Sequence, residues 1–207
     1  MGGWVAAAVL VVITLAGTAT LVGVVAGVEN PFALLSRATT TSRPARVDIP
    51  PPPPGTVPTR VSIPSLAVSS SLIASGLAPN GEIAVPPLST PQQAAWFNQG
   101  PVPSAPGAAV ILGHINGDGR PGVFNHLRLL RTGSQVFVDR SDHQTAVFTV
   151  SRVDIVPKGA FPAEWVYGTD GSQQLRLITC GGKLDPRAHQ YDSNIVAYAS
   201  LTAVRPT

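Results

Sequence analysis

After residue 57 the chain is made of short apolar or alternating runs separated by glycines, prolines and polar turns. Such runs predict β-strands, because side chains alternate between the two faces of a strand and a buried strand is apolar throughout. Helix signals are few, and we expect only one or two short helices, at Pro91 to Phe97 and Val123 to Leu130. The predicted strands are Arg60–Ile63, Leu72–Ala74, Ile83–Val85, Ala108–Leu112, Gln135–Asp139, Ala146–Val150, Val153–Val156, Gln174–Cys180 and Ile195–Ala199.

Turn residues indicate how these strands connect. Pro79-Asn80-Gly81 predicts a hairpin between Leu72–Ala74 and Ile83–Val85, and the polar segment Arg140 to Gln144 predicts a second one. Gly181-Gly182 is expected to end its strand. About eight short strands with glycine and proline punctuation favour a closed or nearly closed β-barrel, so the fold class is mainly β.

The segment from Trp4 to Val28 has no charged residue and is long enough to cross a bilayer core of about 30 Å. We interpret residues 1–28 as an N-terminal transmembrane anchor, with a cleaved signal peptide as the alternative. Three arginines follow this segment, at positions 37, 43 and 46. The positive-inside rule alone would therefore place the following domain in the cytoplasm.

Residues 29–56 are rich in Pro, Thr and Ser and include the run Pro50 to Pro54, which favours a stiff polyproline II spacer. We interpret this segment as a linker, although a proline-rich recognition peptide has the same composition. Residues 57–207 then form one globular domain.

Charge and cysteine content narrow the chemistry. The 14 Lys and Arg residues nearly balance 11 Asp and Glu residues, without a basic run, which argues against nucleic-acid binding. A single cysteine cannot form an intramolecular disulfide, and scattered histidines show no metal-ligand spacing. We expect neither a metal nor a cofactor, and specifically no calcium, because Asp139 and Asp142 are the closest acidic pair in the barrel region.

The single cysteine, Cys180, and one histidine, His114, each follow an apolar run, at the predicted end of a strand. A neighbouring imidazole can generate a thiolate and can protonate a leaving amine. The alternatives are that Cys180 is a buried small hydrophobe and that His114 caps its strand. His126, His143 and His189 fall in a predicted helix, a turn and a loop.

Ordered motifs along the domain resemble those of sortases, most closely the actinobacterial class often called class F. The resemblance rests on Pro58-Thr59-Arg60-Val61-Ser62-Ile63-Pro64, Gly76-Leu77-Ala78-Pro79-Asn80-Gly81, Val110-Ile111-Leu112-Gly113-His114, Phe124-Asn125-His126-Leu127 and Leu177-Ile178-Thr179-Cys180-Gly181-Gly182. It implies an eight-stranded sortase barrel, anchored by its N-terminal helix with the domain outside a Gram-positive membrane. It therefore sets the positive-inside signal aside.

The resemblance also implies a reaction. Cys180 would be the nucleophile and His114 the catalytic histidine of a transpeptidase. The enzyme would cleave an LPXTG-like sorting signal between Thr and Gly and transfer the acyl group to an amine of a peptidoglycan precursor. Most sortases place an arginine three residues after an aromatic in the last strand, but counting from Tyr191 that position holds Asn194. Arg187, in the loop after Cys180, is the nearest basic alternative, together with Lys183.

Two other functions compete with this one. A membrane-tethered adhesion or binding barrel would need Cys180 only for packing. A cell-wall hydrolase or L,D-transpeptidase would also use Cys and His, but its cysteine usually follows a Ser-His-Gly segment, which this chain lacks.

Overall fold

A computed structural model describes residues 49–160, 166–168, 170–187 and 190–207. They belong to a compact unit that spans Arg46–Thr207. The predicted anchor, residues 1–28, and most of the predicted linker lie outside the described residues. Within the described ranges, no helix has the length and apolar character needed to span a bilayer.

Eight strands of the described ranges close into a barrel, and two more form a separate two-stranded ribbon. The mainly β, eight-stranded fold predicted from the sequence is thus confirmed. The described helices amount to short 3-10 segments at Pro64–Leu66, Leu127–Leu129 and Lys158–Ala160 and a helical pair at residues 166–167. The strands are β1 (Pro58–Ile63), β2 (Val68–Ser75), β3 (Ala94–Phe97), β4 (Gly107–Gly113), β5 (Asn116–Gly117), β6 (Arg120–Pro121), β7 (Gln135–Arg140), β8 (Gln144–Pro157), β9 (Gln173–Asp185) and β10 (Gln190–Pro206). The order around the barrel is β1-β2-β3-β4-β9-β10-β8-β7, and β5 and β6 form the ribbon.

Two neighbouring strand pairs in the barrel are parallel, β2 with β3 and β4 with β9, and the others are antiparallel. In the β4–β9 pair Leu112 lies beside Ile178. Because parallel strands end at the same edge of a sheet, the residues that follow Leu112 and Ile178 emerge at one pole of the barrel.

Alternating side chains divide the core into two clusters on opposite faces of the sheet. The interior cluster draws residues from strands around the whole barrel, and each large apolar side chain buried there contributes about 1.5 to 3 kcal/mol. Its fully buried members include Val61, Ile63, Ile111, Phe124, Val136, Val138, Phe148, Leu175, Leu177 and Ile195. A second group, which we call the outer-face cluster, consists of Val110, Leu112, Val156, Val166, Ile178, Val196 and Tyr198.

The helix predicted at Pro91 to Phe97 is wrong. Ala94–Phe97 forms β3, which pairs with β2 on one side and β4 on the other. Ala94, Ala95 and Trp96 are all buried, so both faces of this segment are covered. Burial on both faces removes the alternation that marks a strand in sequence, and the helix propensity of alanine then misleads.

The hairpin predicted between Leu72–Ala74 and Ile83–Val85 is also wrong. Leu72–Ala74 lies within β2, whose partners are β1 and β3, while Ile83 makes only an isolated bridge to Leu77. The turn itself is present, with Gly81 at a φ of 81° and its amide donating to the carbonyl of Ala78 at 2.9 Å. The turn therefore lies within the loop between β2 and β3 and does not connect two paired strands.

A buried ion pair fixes the pole of the barrel opposite to Cys180. The Arg140 guanidinium, with a side chain only 3% exposed, pairs with Asp142 at 2.7 Å and also reaches the hydroxyl of Ser104. The Gln173 side chain, at the start of β9, donates to the carbonyls of Ser104 and Ile49 at 2.7 and 2.8 Å. These contacts hold the incoming chain against the barrel end that lies away from Cys180.

Candidate active site

Strand register brings three of the four predicted site residues together on the outer face of the sheet. Cys180 on β9 lies directly opposite Asn194 on β10, and Leu112 on β4 lies beside Ile178, two residues before Cys180. His114 is two residues beyond Leu112 and therefore continues this row on the β4 side. Neighbouring strands lie about 4.8 Å apart, so the three side chains share one edge of the sheet.

The Cys180 row adjoins the outer-face cluster, whose members are all buried. The partly buried side chains of Ile83 and Phe97 pack against this cluster and form the apolar surface on this side of the row. Ile178 and Val196 are register partners, and each lies two residues from the Cys180 row, a step of about 6.6 Å along a strand. Val166, a member of this cluster, comes from the β8–β9 connection, and Ile83, which packs against the cluster, comes from the β2–β3 connection. The thiol is half-buried and thus lies at the border between an apolar surface and solvent.

His114 is held in place through its ring and its backbone. The ring Nε2 lies 2.6 Å from the carbonyl oxygen of Pro86. Because a carbonyl can only accept, Nε2 carries a proton and Nδ1 is the nitrogen left for proton exchange. The amide of Phe124 donates to the His114 carbonyl at 3.0 Å, and the Asn125 side chain donates to the next carbonyl, that of Ile115, at 2.8 Å.

Glycines allow this close packing around the histidine. A Cβ added at Gly122 would lie 2.1 Å from the His114 carbonyl oxygen, and one at Gly113 would lie 2.3 Å from Val123 Cγ1. Real Cβ contacts essentially never approach below 3.0 Å. The backbone around His114 therefore requires glycine at positions 113 and 122.

The two candidates for the missing arginine lie in different places. Asn194 is half-buried and lies inside the sheet, where it pairs with Cys180 on β9 and with Val156 on β8. Arg187 is exposed at the tip of the β9–β10 hairpin, where its amide donates to the Asp185 carboxylate at 2.8 Å. From Cys180 to Asp185 the strand advances about 16 Å, so the structure does not bring Arg187 to the Cys180 row.

The prediction that Gly181-Gly182 ends the strand is wrong, because β9 continues to Asp185. A Cβ at Gly181 would lie 2.5 Å from Ile195 Cγ1, and one at Gly182 would lie 2.0 Å from Asp192 Oδ1. Gly182 also has a φ of 80°, a conformation that side chains disfavour. The two glycines thus let β10 approach β9 closely and kink the hairpin just beyond Cys180.

Asp192 occupies the space left by Gly182. Its Oδ1 accepts hydrogen bonds from the Ser193 hydroxyl at 2.8 Å and from the Lys183 amide at 3.0 Å. These two bonds, led by the one from Ser193, lower the pKa of the Asp192 carboxyl, which is therefore ionised at neutral pH. A carboxylate is accordingly fixed one step beyond Cys180 on the hairpin.

Sequence reasoning missed three contributors to this site: the Pro86 carbonyl, the Asn125 side chain and Asp192. The Pro86 contact uses a backbone carbonyl, which every residue has, so the sequence gives no sign of it. Asn125 could have been found, because it belongs to the motif Phe124-Asn125-His126-Leu127. Of the other histidines, His126 precedes a 3-10 helix and His143 lies in the β7–β8 turn with a φ of 59°. His189 lies outside the described residues.

Metal binding finds no support in the described ranges, where no group of three or more His, Cys, Asp or Glu side chains could hold an ion. What the site offers is a thiol, an imidazole, a neutral amide and an apolar surface. This set suits nucleophilic attack on a carbonyl carbon next to an apolar segment.

Comparisons with known proteins identify the fold and the family. The chain resembles solved structures of sortase C-3 from Streptococcus pneumoniae (TM-score 0.55, 20% identity, covering 77% of this chain and 67% of that chain) and of a lid mutant of sortase A from Corynebacterium diphtheriae (0.56, 14%, 72% and 72%). Sortase A from Listeria monocytogenes is also similar (0.55, 15%, 73% and 90%). No curated protein matches the chain. The sortase domain model, however, matches residues 61–202, more than half of the sequence, and the chain therefore belongs to the sortase family of cysteine transpeptidases.

Proposed function

We propose that this sortase cleaves an LPXTG-like sorting signal between Thr and Gly with Cys180 and transfers the acyl group to an amine of a peptidoglycan precursor. The observation that carries the proposal is the row of His114, Cys180 and Asn194 beside the outer-face cluster. We further propose a class F-like enzyme, anchored by residues 1–28 with its domain on the outer face of a Gram-positive membrane.

The apolar surface suits the first residues of such a signal. An extended peptide advances about 3.3 Å per residue, so a Leu-Pro pair two to three residues before the scissile bond lies about 7 to 10 Å from it. The Ile178 and Val196 side chains are one strand step from Cys180. The peptide would therefore extend from the partly buried Ile83 and Phe97, which cover the cluster, toward Cys180, with its Thr carbonyl at the thiol.

In the acylation step the Cys180 thiolate attacks the Thr carbonyl carbon, a C–S bond forms and the carbonyl oxygen becomes an oxyanion. As the oxyanion collapses, the Thr–Gly C–N bond breaks and the His114 imidazolium gives its proton to the departing amine. A thioester and a neutral imidazole remain. The adjoining Asn194 amide can donate to the oxyanion, as an amide side chain does in other acyl-transfer enzymes.

In the transfer step a neutral amine attacks the thioester carbon. The new C–N bond forms, the C–S bond breaks, and His114 accepts the proton that the amine loses. The products are an amide, the thiolate and the imidazolium, which is the pair that began the cycle.

A peptide assay tests the proposal directly. The full-length protein in detergent should convert an LPXTG peptide and an amine into the transfer product, detected by mass spectrometry. Cys180→Ala should abolish cleavage and transfer, and His114→Ala should lower kcat/KM by about 10²- to 10⁴-fold, because both steps need its proton. A folded Cys180→Ala protein that still cleaves the peptide would contradict the assignment.

The same proteins decide between the enzyme and a binding barrel. A working Cys180, half-buried at the sheet edge, should react with a thiol reagent without denaturant. A thiol that labels only after unfolding would instead favour the adhesion or binding module.

A further inference from the structure

Along the β9–β10 ladder three chemically different zones follow one another. Ile178 and Val196 belong to the outer-face cluster, Cys180 and Asn194 come next, and Asp192 follows on the other side of the Cys180 row. The carboxylate and the apolar surface thus lie on opposite sides of the thiol.

This order, combined with the proposed function, assigns a side to each reaction partner. If the Leu-Pro part of the sorting signal lies on the side of the outer-face cluster, against the partly buried Ile83 and Phe97, the leaving Gly departs beyond Cys180, toward Asp192. The acceptor must attack the same carbonyl carbon from the place that the leaving group vacates. The acceptor therefore approaches past the Asp192 carboxylate.

We propose that Asp192 binds the protonated primary amine of the acceptor and holds it beside the Cys180 thioester; this inference rests on the proposed function. An amine acceptor is mostly an ammonium ion at neutral pH, and Asp192 would bind it in that form. The bound ammonium loses one proton to water to become the attacking amine, and His114 accepts the second proton as the amide forms. A fixed carboxylate raises the local concentration of that cation.

The geometry fixes this carboxylate rather than leaving it a mobile surface charge. Asp192 Oδ1 fills the space of a side chain at position 182, two residues from Cys180, about 7 Å along the strand. Both hydrogen bonds from the described residues go to Oδ1, which leaves Oδ2 as the atom for a ligand. The hairpin is braced further by Asn116, whose side chain donates to the Tyr191 hydroxyl at 2.8 Å.

Asp192 is a positioning residue and not a catalytic one. A negative charge near Cys180 opposes the oxyanion of both steps, so it offers the chemical step no electrostatic help. Its favourable contribution should therefore appear only in how the transfer rate depends on the concentration of a cationic acceptor.

Asp192→Asn removes the charge and keeps an oxygen that can accept both hydrogen bonds. Asp185→Asn removes the same charge farther along the hairpin and serves as the matched control. Transfer to glycinamide, a cation at pH 7, is compared with transfer to hydroxylamine, which is neutral at that pH, and with hydrolysis of the same peptide. For Asp192→Asn we expect the KM for glycinamide to rise about two- to fivefold, the effect of one exposed ion pair.

Hydroxylamine transfer and hydrolysis should not fall in Asp192→Asn, because the lost charge only opposes the oxyanion, and Asp185→Asn should behave as wild type. An unchanged KM for glycinamide would overturn the inference, as would an equal change for both amines, an equal effect of Asp185→Asn, or a loss of hydrolysis. Failure of the wild-type protein to cleave the peptide at all would instead refute the proposed function, and with it this inference.

Discussion

Gly122→Ala tests whether the close approach of two backbone segments positions His114. A methyl group at residue 122 would lie 2.1 Å from the His114 carbonyl oxygen and 2.9 Å from its Cβ. Neither atom is the end of a flexible side chain, so the two segments must separate by about 1 Å to restore a normal contact. Overpacking of this kind costs about 1 to 3 kcal/mol.

Because a stability change of 1 kcal/mol shifts Tm by about 2 to 4 °C in a domain of this size, we expect Gly122→Ala to melt about 2 to 12 °C lower. A displacement of about 1 Å at a catalytic group can cost 10²-fold, so kcat/KM for the sorting-signal peptide should fall about 10²-fold. Gly159→Ala, where an added Cβ meets no atom within 4 Å, is the matched control. Wild-type melting and turnover in Gly122→Ala would refute the reasoning.

Two further predictions concern the oxyanion and the buried ion pair. Asn194→Ala should lower kcat about 10²-fold, the cost of one oxyanion donor, while Arg187→Ala stays near wild type; the opposite result in steady-state kinetics would transfer the role to Arg187. The Arg140 hydrogen bond lowers the pKa of Asp142 below 3.8, so its stabilisation is complete above that pH and is lost as pH falls through the folded-state value. The Tm difference between wild type and Asp142→Asn should therefore shrink from pH 6 to pH 3.

The barrel and the position of His114 directly after a buried strand could be predicted because each depends on patterns local to a strand. Apolar runs such as Ala108–Leu112 identify buried strands directly, and the residue after each run falls at a barrel edge. The pairing between strands is harder to predict from the sequence. The sequence predicts that Leu72–Ala74 pairs with the next strand signal, Ile83–Val85. In the structure β2 instead pairs with β3, which follows it only after a long connection.

The parts of the site that sequence analysis missed depend on contacts between distant segments. The Pro86 carbonyl meets His114 because the β2–β3 connection folds over the end of β4. Asp192 reaches the space above Gly182 because the hairpin is bulged between Tyr191 and Ser193. Neither a backbone carbonyl nor a bulge has a residue pattern that distinguishes it from an ordinary loop.

The charges around Cys180 affect the acylation step and the transfer step of the proposed reaction differently. In the described part of the chain the Cys180 row contains no arginine or lysine, so the oxyanion would depend on the neutral Asn194 amide and on the His114 imidazolium. The nearby Asp192 carboxylate opposes that oxyanion but attracts a cationic acceptor. In the proposed reaction such an arrangement would slow acylation relative to a site with an arginine and would favour capture of the thioester by an amine over water. A transpeptidase benefits from that balance, because hydrolysis of its thioester would release the substrate unattached.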